Sequence, residues 1–412
     1  MSSSLRTSWR QVRLSDVCEI QLGKMLSPKA KTGIRYRNYL RNTNVQWGRF
    51  DLGDVAEMDF DEDEEQKFAL RSGDLLVCEG GEPGRAAVWQ GQINPCFYQK
   101  ALHRLRPVGD DVDSSFVMYR LWLGATSGEF GESHSKTTIA HLPAVRLAAL
   151  TIAIPTLREQ QRIVGVLNES LAVAERVRKA AEVRQKAIEA MEMSVLRRVF
   201  WGMTPLSSAK PYAAAPSGWT WRLLADVAKL ESGHTPSRLR ADWWGGDIPW
   251  VSLTDIRELD GRVATETRER TNVEGIANSA ARILPPGTVV LSRTASVGFV
   301  TIMGREMATS QDFVNWVCGP EMDPHFLAYA LRGSRTYIRS LSSGAIHQTV
   351  YMPTVEAFTV CMPPIGEQKR VVVDLDRRMA GTQQLRDSAT AELSAIEAVP
   401  AALLRRAFSG EL

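Results

Sequence analysis

A chain of 412 residues, 44% hydrophobic and 24% charged, has the composition of a globular protein of two or three domains and excludes a disordered or fibrous one. No run nears the roughly 18 apolar residues of a membrane span, and the Ser-rich start lacks the apolar segment of a signal peptide, so a cytoplasmic protein without a membrane role is expected. Five scattered cysteines exclude a disulfide framework and read as reduced, buried thiols, and 50 basic against 47 acidic residues leave 50 − 47 = +3, too little to announce nucleic acid without a look at where the charge lies.

In chain order the first element is a module over residues 1–154, with short β-rich runs such as 74–78 set between Gly and Pro turns. Within it, residues 24–49 hold Lys24, Lys29, Lys31, Arg35, Arg37, Arg41 and Arg49 and no acid, interleaved with Tyr36, Asn38, Tyr39, Asn42, Asn44, Gln46 and Trp47. Lys and Arg neutralise phosphates, while Arg, Asn and Gln present the paired donors and acceptors that tell bases apart. The plainer reading is a solvated basic face balanced by the acidic run 59–65, itself expected to be a solvated loop.

Residues 155–202 then read as one helix. Pro155 opens it, Gly202 closes it, and Gly165 is the one Gly or Pro between them. Some 45 residues give roughly 65–70 Å, a rod that needs a partner. Its apolar stripe, Ile163, Leu167, Leu171, Ala174, Val177, Ala181, Ile188, Met191 and Val195, keeps a three-four spacing.

A Pro- and Ala-rich linker (203–217) leads to a second module (218–362) and a second helix (363–412), and these repeat the first half. At an offset of 210, Trp9, Leu14, Asp16, Gly23 and Ser27 fall on Trp219, Leu224, Asp226, Gly233 and Ser237; likewise Asp113, Phe116 and Tyr119 fall on Asp323, Phe326 and Tyr329. At 208, Pro155, Glu159, Gln160 and Arg162 meet Pro363, Glu367, Gln368 and Arg370, and the second stripe is Val371, Leu375, Met379, Thr382, Leu385, Ala389, Ile396, Val399 and Leu403. Two matching stripes in one chain most simply pair as an antiparallel coiled coil; the alternative is that each helix serves only its own half. Pro400 is expected to kink or break the second helix.

Chemistry signatures are missing. Six single histidines offer no metal-ligand spacing, no phosphate-binding Gly-rich loop occurs, and Asn-Pro-Cys-Phe at 94–97 lacks the second Pro of a methyltransferase base-binding loop. The chain reads as a binder without catalysis or a cofactor of its own.

Together these features resemble the specificity subunits (HsdS) of type I restriction-modification systems. The resemblance covers nearly the whole chain and rests on the tandem plan, on Pro-x-x-x-Glu-Gln-x-Arg opening each long helix, on Leu-Arg-Arg-x-Phe-x-Gly closing it (196–202 and 404–410), and on Gly-His-Thr-Pro-Ser (233–237) with Gly-Gly-Asp-Ile-Pro-Trp-Val (245–251). The first module lacks the last pattern. The resemblance implies an α+β, pseudo-twofold fold: two homologous target recognition domains separated by two long antiparallel helices forming a coiled coil. Each domain would read one half of a bipartite target in double-stranded DNA. The helices would set the spacer and dock two methyltransferase subunits (HsdM), which two motor and nuclease subunits (HsdR) join. S-adenosylmethionine, ATP and magnesium would belong to those partners.

A coiled coil holding two heads about one helical turn apart, roughly 34 Å, suits such a target. The expected DNA contacts are Lys29, Lys31, Arg35, Arg37, Asn38, Arg41 and Asn44 in the first module, and Thr235, Ser237, Arg238, Arg240, Arg293, Gln311, His347 and Gln348 in the second. Ile163, Leu167, Leu171, Val177, Ile188, Val371, Leu375, Leu385 and Ile396 are expected at the helix seam or partner-docking face. The rival readings are a DNA adenine methyltransferase with its own cofactor site and a coiled-coil adaptor that touches no DNA.

Overall fold

The runs Leu75–Cys78 and Val289–Ser292 are buried at every position, as strands covered on both faces must be. In a computed structural model that describes residues 9–27, 30, 32–130, 141–208, 211, 213–344 and 348–412, each sits inside the main sheet of its module. The first sheet has four antiparallel strands in the order Cys18–Leu22, Leu102–Pro107, Leu75–Cys78, Ala86–Val88. The second repeats that order with Ala228–Ser232, Phe313–Cys318, Val289–Ser292, Val300–Met303, and adds Val263–Ala264 in parallel at the edge.

A smaller sheet is duplicated as well. Tyr36–Leu40 lies between Ala56–Asp59, antiparallel, and Phe97–Tyr98, parallel; Trp244–Val251 lies between Glu269–Thr271 and Ala308–Thr309 in the same senses. Arg10–Arg13 pairs with Thr151–Ile154 as Thr220–Leu223 pairs with Thr359–Met362. The last of these strands also takes on Leu206–Ser207, which lies within the 203–217 stretch.

The long helices are Leu157–Val199 and Ile365–Ser409. The second runs through Pro400 without a break, a correction to the expectation of a break there. The chain divides into two compact units, one formed by Met1–Glu182 with Ala391–Leu412 and the other by Val183–Thr390, so each helix contributes to both. In the first unit, Ile163 and Leu167 share a core with Leu404 and Phe408, and the Arg162 guanidinium donates to the Leu412 carbonyl at 2.8 Å. In the second, Leu196 and Phe200 share a core with Leu375 and Met379. In each unit the start of one helix lies beside the end of the other, the order of an antiparallel pair.

Two duplicated devices seat the helices. Gln160 and Gln368 are fully buried. Gln160 accepts from the Asp113 backbone N–H at 2.9 Å and donates to the Asp111 and Pro155 carbonyls at 2.9 and 3.0 Å; Gln368 does the same with Asp323, Glu321 and Pro363 at 2.9, 2.8 and 2.9 Å. The Gln of the opening motif thus ties each helix to its own module. The Phe of the closing motif ties it to the other one. Phe408 packs with Trp9 and Phe116, centroids 6.3 and 5.2 Å away, and Phe200 with Trp219 and Phe326 at 6.3 and 5.9 Å.

Burial follows most of the expected stripe. Ile163, Leu167, Ile188 and Leu375 are buried and Leu171, Val371 and Ile396 half-buried, whereas Val177 and Leu385 are exposed. Ala181, Thr382 and Ala389, also members of the expected stripes, are buried.

Candidate nucleic-acid interface

The basic stretch of the first module carries its own counter-ions. Residues 24–65 hold seven basic and nine acidic side chains, a net of 7 − 9 = −2. Asp59 ends a strand, and most of the acidic run lies in a helix, Glu62–Phe68, where a solvated loop was expected. Asp61 caps it, accepting from the Glu64 N–H at 2.8 Å while Glu64 accepts from the Asp61 N–H at 3.0 Å. Its carboxylates meet the cations: Lys24 with Glu64 at 2.5 Å, Arg35 with Glu62 at 3.1 Å, Arg37 with Glu65 at 2.8 Å.

Arg41 reaches the Asp54 carboxylate at 2.8 Å, and Asn38 is half-buried on its strand. Asn44 is a loop support and not a free base reader: it is buried, its oxygen accepts from the Arg41 N–H at 2.8 Å, and its amide donates to the Asp51 and Asp54 carbonyls at 2.9 Å each. Lys29 and Lys31 lie outside the described residues.

The second module gathers its expected residues in two places joined by the loop 310–312. At the first, the Thr235 hydroxyl donates to Gln311 at 2.6 Å. Arg238 makes a two-pronged bond to Glu269 at 2.5 and 2.9 Å and lies over the rings of Trp244 and Trp250, 3.8 and 4.9 Å from their centroids. Arg240 grips Asp242 at 2.9 and 2.6 Å over Trp243. These bonds hold the Arg238 and Arg240 pKa above the usual value and, for Arg240's partner, the Asp242 carboxyl below its own. Ser237 lends its carbonyl to the Arg240 N–H at 3.2 Å and the Trp244 indole at 3.3 Å.

At the second place, Arg293 pairs through its backbone with Asp312 and Val350, both at 2.8 Å. Gln348 accepts from the Ser342 hydroxyl at 2.7 Å and donates to the Gly344 carbonyl at 3.0 Å. His347 lies outside the described residues.

The expected contacts left out Trp243, Trp244, Trp250 and Leu239, which share this loop and its strand. The Gly-Gly of 245–246 makes a bulge, with Trp244 and Ile248 both opposite Thr271. Gly245 has φ 81°, and a Cβ on Gly246 would stand 2.7 Å from the Thr271 carbonyl. The bulge lets Trp244 meet Trp250 edge to face, centroids 5.0 Å apart, beneath Arg238. Leu239 stands at the tip between the two arginines, 95% exposed; an apolar residue between arginines in a polar loop was the available signal.

Elsewhere the chemistry is quiet. Burial pushes the thiols of Cys18, Cys96 and Cys318 up to about 12 and those of Cys78 and Cys361 to about 11, far from a reactive thiolate. Among the described residues no cluster of three or more His, Cys, Asp or Glu is placed to hold a metal ion, and no helix is long and apolar enough to cross a membrane.

Two like scaffolds with unlike loops, each tied to both long helices, define a duplicated recognition protein. The type I restriction modification DNA specificity domain matches residues 7–179 and again 216–393, and the chain belongs to that family. It is 24% identical over 162 residues to the type I restriction enzyme MjaIX specificity subunit of Methanocaldococcus jannaschii, and 32% over 79 residues to the EcoprrI specificity subunit of Escherichia coli. These matches cover 39% and 19% of this chain, and the chain spans 38% and 19% of the length of those relatives. A solved chain from work on complex assembly and conformational transition of the type I R-M system shares the fold over the full length of both chains, with a TM-score of 0.63 at 18% identity.

Proposed function

We propose that this chain is the DNA-specificity subunit of a type I restriction-modification complex, each module reading one half of a bipartite, asymmetric sequence in double-stranded DNA. The observation that carries the reading is the pairing of a repeated scaffold with unrepeated loops. Hydrogen-bonding of Gln160 and Gln368 is duplicated to the last partner, whereas the Trp-lined loop of the second module has no counterpart in the first. Such a plan offers two equivalent surfaces to two copies of one partner while leaving the sequence read asymmetric.

In this reading the long helices set the spacer, and their exposed apolar positions, Val177 and Leu385 among them, belong to the docking face of two methyltransferase subunits, with motor and nuclease subunits joining to cut unmethylated DNA. Catalysis, S-adenosylmethionine, ATP and magnesium reside in those partners, and the assembly works in the cytoplasm.

The test is a single-molecule map of adenine methylation in host DNA with and without the gene. Loss of a two-part motif with an unspecified gap is the expected result. Unchanged methylation beside an active methylase partner overturns the reading and leaves a structural adaptor in its place.

A further inference from the structure

Leu239 is the most exposed large apolar side chain among the described residues, at 95%, and Ile34 in the first module reaches 82%. A single exposed leucine is ordinary on a protein surface. What distinguishes these two is where they stand and how firmly they are held.

Each lies on the loop that leaves the repeat-equivalent Gly23 or Gly233 and enters the middle strand of the smaller sheet, Tyr36–Leu40 or Trp244–Val251. In both modules a carboxylate from the same neighbouring strand braces the loop. Asp59, on Ala56–Asp59, accepts from the Thr32 hydroxyl at 2.8 Å and from the Gly33 and Arg35 N–H groups at 2.9 and 2.6 Å, which leaves Ile34 projecting between fixed neighbours. Glu269, on Glu269–Thr271, holds Arg238 in its two-pronged bond, and the Arg240 N–H closes a turn onto the Ser237 carbonyl at 3.2 Å with Leu239 at its tip.

The arginines flanking Leu239 each meet a carboxylate and a tryptophan face, and Arg35 beside Ile34 meets Glu62. Each of these arginines already meets a carboxylate, and Leu239 and Ile34 present a branched hydrocarbon outward. On duplex DNA the surface that takes such a group is the apolar part of a base: a thymine methyl in the major groove, or a base face at an opened step.

We propose that Leu239 and Ile34 are apolar base-contact points, one for each half of the target, seated on loops whose arginines act as braces. The proposal rests on the DNA-reading function above and deepens it by naming contacts of a chemistry that phosphate and hydrogen-bond reasoning passes over.

The experiment uses the chain in complex with its methylase, with a duplex carrying the methylated motif and duplexes with either half scrambled, over a range of salt concentrations. Leu239→Ser should weaken binding to the full motif by roughly tenfold, as expected for burying one leucine side chain. Binding to a duplex whose second half-site is already scrambled should be unchanged, and so should the salt slope, because no phosphate contact is lost. Leu239→Met should retain affinity, and Ile34→Ser should reproduce the loss for the other half.

Uracil in place of thymine and 2-aminopurine fluorescence then separate a methyl contact from an opened step, and silence in both overturns the proposal. Wild-type affinity in Leu239→Ser, an equal loss on scrambled DNA, or a shallower salt slope also overturns it while the DNA-reading function stands. If the wild-type complex does not distinguish the motif from scrambled DNA, the function itself fails, a separate and recognisable result.

Discussion

Gly23 and Gly233 sit where a methyl group has no room. A Cβ on Gly23 would lie 2.4 Å from the Gln99 carbonyl, and one on Gly233 would lie 2.1 Å from that of Ser310. Both obstacles are backbone, so Gly233→Ala should destabilise its module by about 2–3 kcal/mol, read by urea titration. Repetition marked these glycines in the sequence; the close approach that requires them is a tertiary fact.

Asp59 makes a pH prediction. Desolvation pulls its carboxyl upward, but hydrogen bonds from Arg35, Thr32 and Gly33 outweigh it and hold the pKa at about 2, below the roughly 3.9 of an unfolded aspartate. A depressed folded value means that the stability it contributes is complete above about pH 4 and lost as the pH falls toward about 2. The stability difference between wild type and Asp59→Asn should therefore be constant from pH 8 to 5 and begin to shrink below about pH 4, as measured by denaturant titrations at each pH. At this scale composition could not show that Asn44 is already hydrogen-bonded or that the basic run meets carboxylates, because a list of cations does not say which of them face a folded-back acidic helix.

Among the elements, the long helices were the most legible. Their boundaries follow from Pro, Gly and periodicity, and Gln160 and Gln368 explain why the opening motif recurs. The periodic stripe marks most of the buried positions on these helices, with Val177 and Leu385 the exposed exceptions. Phe200 and Phe408 give the sharpest test of how the helices are seated. Each fills an aromatic pocket in the module that its own half of the sequence does not encode, and truncation of a buried Phe costs about 3–5 kcal/mol. Phe408→Ala should lower amide protection in Arg10–Arg13 and Thr151–Ile154, both far from it in sequence, while Phe200→Ala should do so in Thr220–Leu223 and Thr359–Met362. Hydrogen exchange reads both, and the opposite assignment would contradict the packing.

Over the whole molecule the two copies are alike in plan and unlike in how the modules are secured. In the second unit Glu192 is buried and receives both Arg332, at 3.2 Å, and Arg386. Asp260 beside them holds Arg335 at 2.5 Å, and Arg332 and Arg335 keep its carboxyl low despite desolvation. At the repeat offset of 208, Pro400 stands in place of Glu192, and Arg178, in place of Arg386, bonds Glu175 on its own helix at 2.7 Å.

Glu192→Ala leaves two guanidinium groups without that carboxylate and should cost the second unit about 3–5 kcal/mol. Calorimetry should then show one transition lowered and the other unmoved. Exchanging residues 1–154 for those of another such chain should alter one half of the methylated motif and leave the other half intact, which the methylation map checks directly.

The sequence by itself determined the duplication, the two long helices, the α+β class and the family resemblance, because these are written as periods, offsets and boundary residues that survive in one dimension. Tertiary structure decided which cations are already paired, where the compact units divide along the helices, which module each closing Phe fills, and that two aliphatic tips stand on braced loops. Those depend on partners far apart in the chain, such as Asp59 with Gly33 or Glu269 with Arg238, and a local pattern has no means of recording a partner that only folding brings near.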